Sequence, residues 1–107
     1  MKYTVILSEE ASEDIQAVFR YIAEEKGLPI TARRWVDSVE NATKGLDYMP
    51  YRYPRYELQV SEVSELRKLV IERHLVLYTV NDAEHLVFVF RVISERQDAA
   101  SILMKSN

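Results

Sequence analysis

From Ala11 onward, Ile15, Val18, Phe19 and Ile22 recur at three- and four-residue intervals, while Ser12, Glu13, Gln16, Arg20 and Glu24 fall between them. That is the pattern of a helix with one apolar stripe. Ser8 can cap its free N–H groups, Glu9 and Glu10 suit the positive end, and Gly27 stands where a left-handed residue closes a helix. A helix over 9–26 is therefore expected, and Pro29 prevents its simple continuation. Thr31 is placed to cap a second helix, in which Ala32, Trp35, Val39, Ala42 and Leu46 form the stripe and Arg33, Asp37, Glu40 and Lys44 lie opposite. Gly45 stands near its end and Pro50 just beyond. Two such helices with a short connection predict an antiparallel hairpin whose stripes turn the same way and need a sheet to cover.

On either side of the helices the apolar residues lose the helical period. The run at 3–7 reads as an opening strand, and 65–72, 75–80 and 86–93, rich in Val, Leu, Phe and Tyr, read as three more. Glu72-Arg73-His74 and Asn81-Asp82-Ala83-Glu84 are the turns between them. The expected fold class is α+β: an N-terminal strand, a two-helix antiparallel hairpin, then an antiparallel β-meander forming one sheet, with a short C-terminal helix or tail over 97–105. The stretch 56–60 is a candidate for a further strand. Strict alternation within 86–93 puts Leu86, Phe88, Phe90 and Val92 on one face and Val87, Val89, Arg91 and Ile93 on the other. Both faces are apolar. One packs on the hairpin; the other is either an exposed partner-binding face interrupted by arginine, or is covered by 49–61 and the C-terminal segment.

The 107 residues suit one domain spanning 1–107. There is no cysteine, which excludes disulfides and thiolate chemistry. No cluster has metal-ligand spacing, so neither a metal nor a cofactor is expected. The run at 3–7 is too short for a signal-peptide core, and nothing approaches the roughly 18 apolar residues of a membrane span. A soluble, cytoplasmic protein without membrane association is expected. The net charge of −3 argues against a broadly basic nucleic-acid-binding surface. The first fifty residues carry that negative charge and the remainder is balanced, so a phosphate site would be local and in the second half.

Several stretches, in order and spacing, resemble the RelE/ParE toxin superfamily over nearly the whole chain. They are Tyr3-Thr-Val-Ile-Leu-Ser8, Ala11 with Asp14-Ile15 and Tyr21-Ile22, Ala32-Arg-Arg-Trp35, and Leu46 through Met49-Pro50 to Tyr51-Arg-Tyr-Pro54. Leu66-Arg67-Lys68-Leu69, Val76-Leu77-Tyr78 and Val89-Phe-Arg-Val-Ile93, followed by Glu95-Arg96-Gln-Asp98, complete the set. The resemblance implies the toxin of a type II toxin–antitoxin module, neutralised by a labile cognate antitoxin whose extended segment or helix wraps the toxin's sheet and helices. RelE-like members cleave mRNA on the ribosome and ParE-like members poison DNA gyrase; a shared fold does not choose between these targets. A homodimer stays open.

RNA cleavage needs a group to activate the 2′-hydroxyl, positive charge on the phosphate and an acid for the leaving oxygen. If the chain is a nuclease, the catalytic candidates are Arg67, Tyr78 and Arg96, with Glu72 and Glu95 available for proton transfer. Arg52, Arg55, Lys68, Arg73, Arg91 and Arg96 are the candidates for binding target or antitoxin, arginine being suited to clamp phosphate or carboxylate. Arg67 and Arg91 are expected on adjacent strands, and both are equally readable as partners of Glu65, Glu72 or an antitoxin carboxylate. The segment Tyr51-Arg-Tyr-Pro-Arg-Tyr56 interleaves aromatics and arginines, either to stack on bases or as a proline-braced connection. By resemblance, RNA-cleaving members carry an arginine in the third strand and a histidine or tyrosine near the end of the last; here Leu75 and Ser94-Glu95 occupy those places. His74 and His85 fall at turns and receive no role. The leading expectation is a ParE-like toxin that binds a macromolecular target. An mRNA endonuclease and a non-toxic member kept as a binding partner are the alternatives.

Overall fold

The computed structural model describes residues 2–56 and 65–96. Strand β1 (Thr4–Leu7) leads into helix α1 (Glu9–Arg20), whose last stretch, Tyr21–Glu25, widens into a π-helical turn. Ser8 caps α1 as its position suggests, its Oγ accepting from Ala11 N–H at 2.9 Å. Lys26 N–H reaches back five residues to Tyr21 O and Leu28 N–H reaches Ile22 O, both at 3.0 Å, while Gly27 takes φ +67°. The left-handed glycine thus ends the helix and lets the chain reverse.

Helix α2 (Pro29–Lys44) starts earlier than the Thr31 cap predicted. Pro29 occupies its first position, where the missing N–H has no helical partner to lose and the fixed φ is already helical. Leu28 precedes it without a side-chain cap, and Ala32 N–H donates to Leu28 O at 2.9 Å. Ala32, Trp35, Val36, Val39 and Thr43 are buried along α2, and Leu46 in the 3₁₀ turn Gly45–Asp47 extends the stripe. Of these, Trp35, Val36, Val39 and Leu46, with Ala11 and Ile15 of α1, meet one face of the sheet at Leu69, Val76, Tyr78, Val87, Val89 and Val92. This is the main core.

The sheet contains β2 (Arg67–Ile71), β3 (His74–Asn81) and β4 (Leu86–Ser94) as the expected antiparallel meander, in the order β1-β4-β3-β2. β1 pairs with β4 in parallel, so the finished sheet is mixed, and β3 separates the strands that carry Arg67 and Arg91. Those two arginines are therefore not on adjacent strands.

The strict alternation expected in β4 also fails midway. Leu77 lies opposite Arg91 but Tyr78 lies opposite Val89, leaving Phe90 as an extra residue in a β-bulge. The bulge shifts the parity: Val92 joins Val87 and Val89 in the main core, while Ile93 joins Phe90 on the other face. That second face is not bare at its centre. Leu66, Leu75, Leu77 and Ile93 are buried there, with Tyr56 and Phe90 packed against them. Residues 54–56 run antiparallel to the start of β2, through Tyr56 N–H to Leu66 O (2.7 Å) and Lys68 N–H to Pro54 O (3.1 Å). The rest of the strand expected at 56–60, and the helix or tail at 97–105, lie outside the described residues. No helix among the described residues is long and apolar enough to cross a membrane.

Candidate functional site

Apart from Arg91, the basic residues singled out from sequence gather at two ends of the sheet. The first group surrounds the connection from α2 to β2. Met49 takes the left-handed region at φ 46° and turns the chain into a single 3₁₀ turn, Pro50–Arg52. Tyr78, fully buried on β3, donates its hydroxyl to Pro50 O at 2.5 Å and fixes this turn to the sheet. Burial pushes the Tyr78 phenol up to about 12, against the lowering influence of the Arg67 and Arg52 charges. At neutral pH it is a neutral hydrogen-bond donor within the core.

Arg67 stands opposite Tyr78 in the β2–β3 ladder. Its Nη1 donates to Tyr53 O at 2.7 Å and Tyr51 O at 3.2 Å, and its guanidinium lies 4.9 Å from the centre of the Tyr51 ring. Its Nε is buried without a hydrogen-bond partner among the described residues. Arg52 turns back onto the end of α2, donating to the carbonyls of Tyr48, Met49 and Gly45, and lies 4.7 Å from the Tyr53 ring centre. There it satisfies carbonyls that a helix terminus leaves open and sits at the negative end of the helix. Lys68 alternates to the other face, with Nζ 5.4 Å from the Tyr56 ring centre, and Arg55 is exposed.

The interleaved segment from Tyr51 to Tyr56 is thus a brace. Its aromatic faces are occupied by this chain's own cations, which favours the proline-braced reading over base stacking. Tyr51 has a further task that the sequence did not disclose. Tyr51 and Tyr3 each donate at 2.7 Å to different oxygens of Asp82 in the β3–β4 turn. These bonds hold the Asp82 carboxyl below its usual range and push Tyr51 up to about 12.

The second group lies beyond the other end of β2, whose five residues span roughly 13 Å at about 3.3 Å per strand residue. Glu72 and Arg73 form the β2–β3 turn with φ 51° and 60°, and Glu95 N–H donates to Arg73 O at 3.1 Å. This bond brings Arg96 next to Arg73. Both are exposed, and among the described residues neither side chain makes a hydrogen bond or ion pair; Arg96 is held through its backbone N–H to Ser94 Oγ at 3.2 Å. His74 donates Nδ1–H to Glu72 O at 2.8 Å and sets its ring edge-on to Trp35, 5.0 Å between centres. Its visible work is to close the turn onto the core.

Arg91 belongs to neither group. Beyond Val89, where β1 has ended, α1 takes over the flank of β4. Ser8 Oγ donates to Phe90 O at 2.6 Å, and Asp14 accepts from Val92 N–H at 2.9 Å and from Arg91 Nε and Nη2 at 2.8 Å each. This bidentate pair raises the Arg91 pKa further and ties α1 to the strand beside the bulge. The Glu65 or Glu72 partner considered for Arg91 is replaced by Asp14, a residue visible in sequence only as a polar position on α1. Arg67, Tyr78 and Arg96, the three catalytic candidates, do not converge: the first two are neighbours and the third is at the far end. Among the described residues no group of three acidic, histidine or cysteine side chains is arranged to hold a metal ion.

Comparison with known proteins places this arrangement in a family. Similar solved structures include a chain of the chromosomal ParDE toxin–antitoxin system from P. aeruginosa, with TM-score 0.67 and 18% identity, covering 87% of this chain and 96% of that one. A chain of the RelBE2 toxin–antitoxin complex from Mycobacterium tuberculosis gives TM-score 0.60 at 19% identity and covers 88% and 99%. The archaeal RelE–RelB complex from Pyrococcus horikoshii OT3 gives 0.56 at 15%, covering 92% and 100%. No curated protein sequence matches the chain significantly. The family model of the ParE toxin of type II toxin–antitoxin systems, parDE, matches residues 5–99, and the chain therefore belongs to the ParE toxin family.

Proposed function

We propose that this protein inhibits growth in the cytoplasm by binding a macromolecular target in the manner of ParE-like toxins, DNA gyrase being the leading candidate, and that a cognate antitoxin neutralises it. The observation that most supports a binding toxin over an RNA-cleaving one is the commitment of Tyr78 and Arg67. The Tyr78 hydroxyl is buried and spent on Pro50 O, and the Arg67 Nη1 is spent on the Tyr51 and Tyr53 carbonyls. Proton transfer to RNA needs a group that reaches the 2′-hydroxyl, which a fully buried phenol does not. The exposed Arg73–Arg96 end then supplies the contact surface for the target. Antitoxin neutralisation is supported by family membership and by the three structural relatives, each named as a toxin–antitoxin system or complex.

The test is to induce the chain alone in a bacterial host and to follow growth, translation and chromosome integrity together. Filamentation with double-strand breaks and intact mRNA is expected. Rapid loss of translation with cleaved mRNA would overturn the binding reading in favour of a ribosome-dependent nuclease. Normal growth at confirmed expression would overturn toxicity.

A further inference from the structure

Where β2 turns into β3, the backbone beneath Arg73 and Arg96 is fixed while their guanidinium groups are left unused. Glu95 N–H donates to Arg73 O at 3.1 Å, which sets the chain after β4 against the turn, and Arg96 N–H donates to Ser94 Oγ at 3.2 Å. His74, next in the chain to Arg73, donates Nδ1–H to Glu72 O at 2.8 Å and packs its ring edge-on to Trp35 of the core. Both stems are thereby held in place. Arg73 takes its position at φ 60°, a left-handed backbone that is costly for an L residue and that glycine adopts freely. Glu72 and Glu95 precede the two arginines in sequence and are exposed like them, yet among the described residues neither carboxylate pairs with either arginine. Like charges set close together across a ladder repel each other. The fold thus keeps here two cations that work against its stability and that no carboxylate of its own takes up.

Arginine forks bind carboxylates and phosphates alike, and the number of forks separates the two. Asp14 shows what one carboxylate takes in this protein: its two oxygens are filled by Nε and Nη2 of Arg91 alone, with the Val92 N–H added. A second fork set next to the first calls for an anion that repeats. The backbone of a nucleic acid is such a row, with one phosphate for about every 3.4 Å of rise along each strand. The charge balance sets a limit on this contact. With −3 overall and two glutamates beside the arginines, the chain has no broad field to draw DNA in, so the contact is local, weak in isolation and suited to DNA that is already held by another molecule. We propose that Arg73 and Arg96 clamp successive phosphates of a DNA backbone presented by the target. This rests on the target-binding reading above and names the chemistry that its contact surface meets.

The test titrates the full ¹⁵N-labelled chain, made by cell-free synthesis, with a DNA duplex of about 20 base pairs over a range of salt, because each phosphate contact makes log K fall with log salt by about 0.9. The amides of Glu72, Arg73, Glu95 and Arg96 should shift, with a slope of about −1.8 for two contacts. Arg73→Gly, which suits the backbone of the turn, and Arg96→Gln should each bring the slope to about −0.9 and weaken binding several-fold at low salt. Shifts confined to other residues, a slope that neither folded variant moves, or no binding at low salt would overturn the clamp. If a variant does not fold, the shifts and slope of the unaltered chain decide alone. Inorganic phosphate distinguishes the source of the anion: saturation of the same amides at the same concentration of phosphate groups would mean a free-anion site and overturn the backbone contact. Supercoiling by purified DNA gyrase, assayed in parallel, separates this inference from the functional reading. A chain that binds the duplex through this pair but leaves gyrase active would overturn gyrase as the target and leave the DNA contact standing. Undiminished inhibition by the folded Arg73→Gly, Arg96→Gln double variant would overturn the clamp and leave the reading intact.

Discussion

The hydroxyl of Tyr78 and the carbonyl of Pro50 satisfy each other inside the core, so removing one leaves the other buried and unpaired. Tyr78→Phe should cost about 1–3 kcal/mol in urea unfolding. If the tyrosine is structural, growth inhibition per folded molecule stays unchanged; lost inhibition at unchanged stability would restore it to the catalytic list. Asp82 makes a different kind of statement because it is exposed. The bonds from Tyr3 and Tyr51 depress its folded pKa. A depressed carboxyl contributes stability that is present above its unfolded pKa and is lost as pH falls through the folded value, so the clasp is complete at neutral pH and opens in acid. Tyr51→Phe should move the Asp82 titration, followed by carboxyl carbon NMR, upward toward the ordinary range. A titration that does not move would mean the clasp is absent in solution.

Elements in this protein are joined where their regular patterns are broken. The bulge at Phe90 lets both Val89 and Val92 face the helices, and it lies beside the point where Asp14 and Ser8 of the α1 end take up the strand's flank. Alternation alone could not find it, because an extra residue reverses every later face without changing composition. The β2–β3 turn carries a comparable irregularity. Glu72 and Arg73 both occupy the left-handed region that two-residue hairpin loops require and that glycine or asparagine fills at less cost. Arg73→Gly should therefore stabilise the fold by about 1 kcal/mol in thermal or urea unfolding. If Arg73 contacts the target, the same variant loses growth inhibition while gaining stability. Equal or greater inhibition would place the target surface elsewhere.

At the scale of the molecule, the tertiary structure divides the arginines by task. Arg52, Arg67 and Arg91 hold a helix end, a connecting brace and a helix–strand junction, whereas Arg73 and Arg96 are exposed together beyond the far end of β2. Arg96→Ala should weaken growth inhibition several-fold with melting temperature nearly unchanged, since surface substitutions away from networks cost within about 0.5 kcal/mol. Full inhibition by the folded variant would remove Arg96 from the target surface. The element order, the helix stripes, the Ser8 cap, the Gly27 stop and the family resemblance were legible in the sequence, because each depends on residues a few positions apart and on their apolar period. The parallel docking of β1 on β4, the parity shift at Phe90, the Asp14–Arg91 pair and the Tyr3–Asp82–Tyr51 clasp were not. The partners in the docking, the ion pair and the clasp lie 31 to 82 residues apart, and a local pattern says which side chains can pair but not which are brought within reach; the parity shift involves nearer neighbours on β3, but an extra residue leaves no mark on composition. Residue type alone therefore identified the arginines as candidates, and only the fold decided which of them it uses for itself and which it leaves exposed.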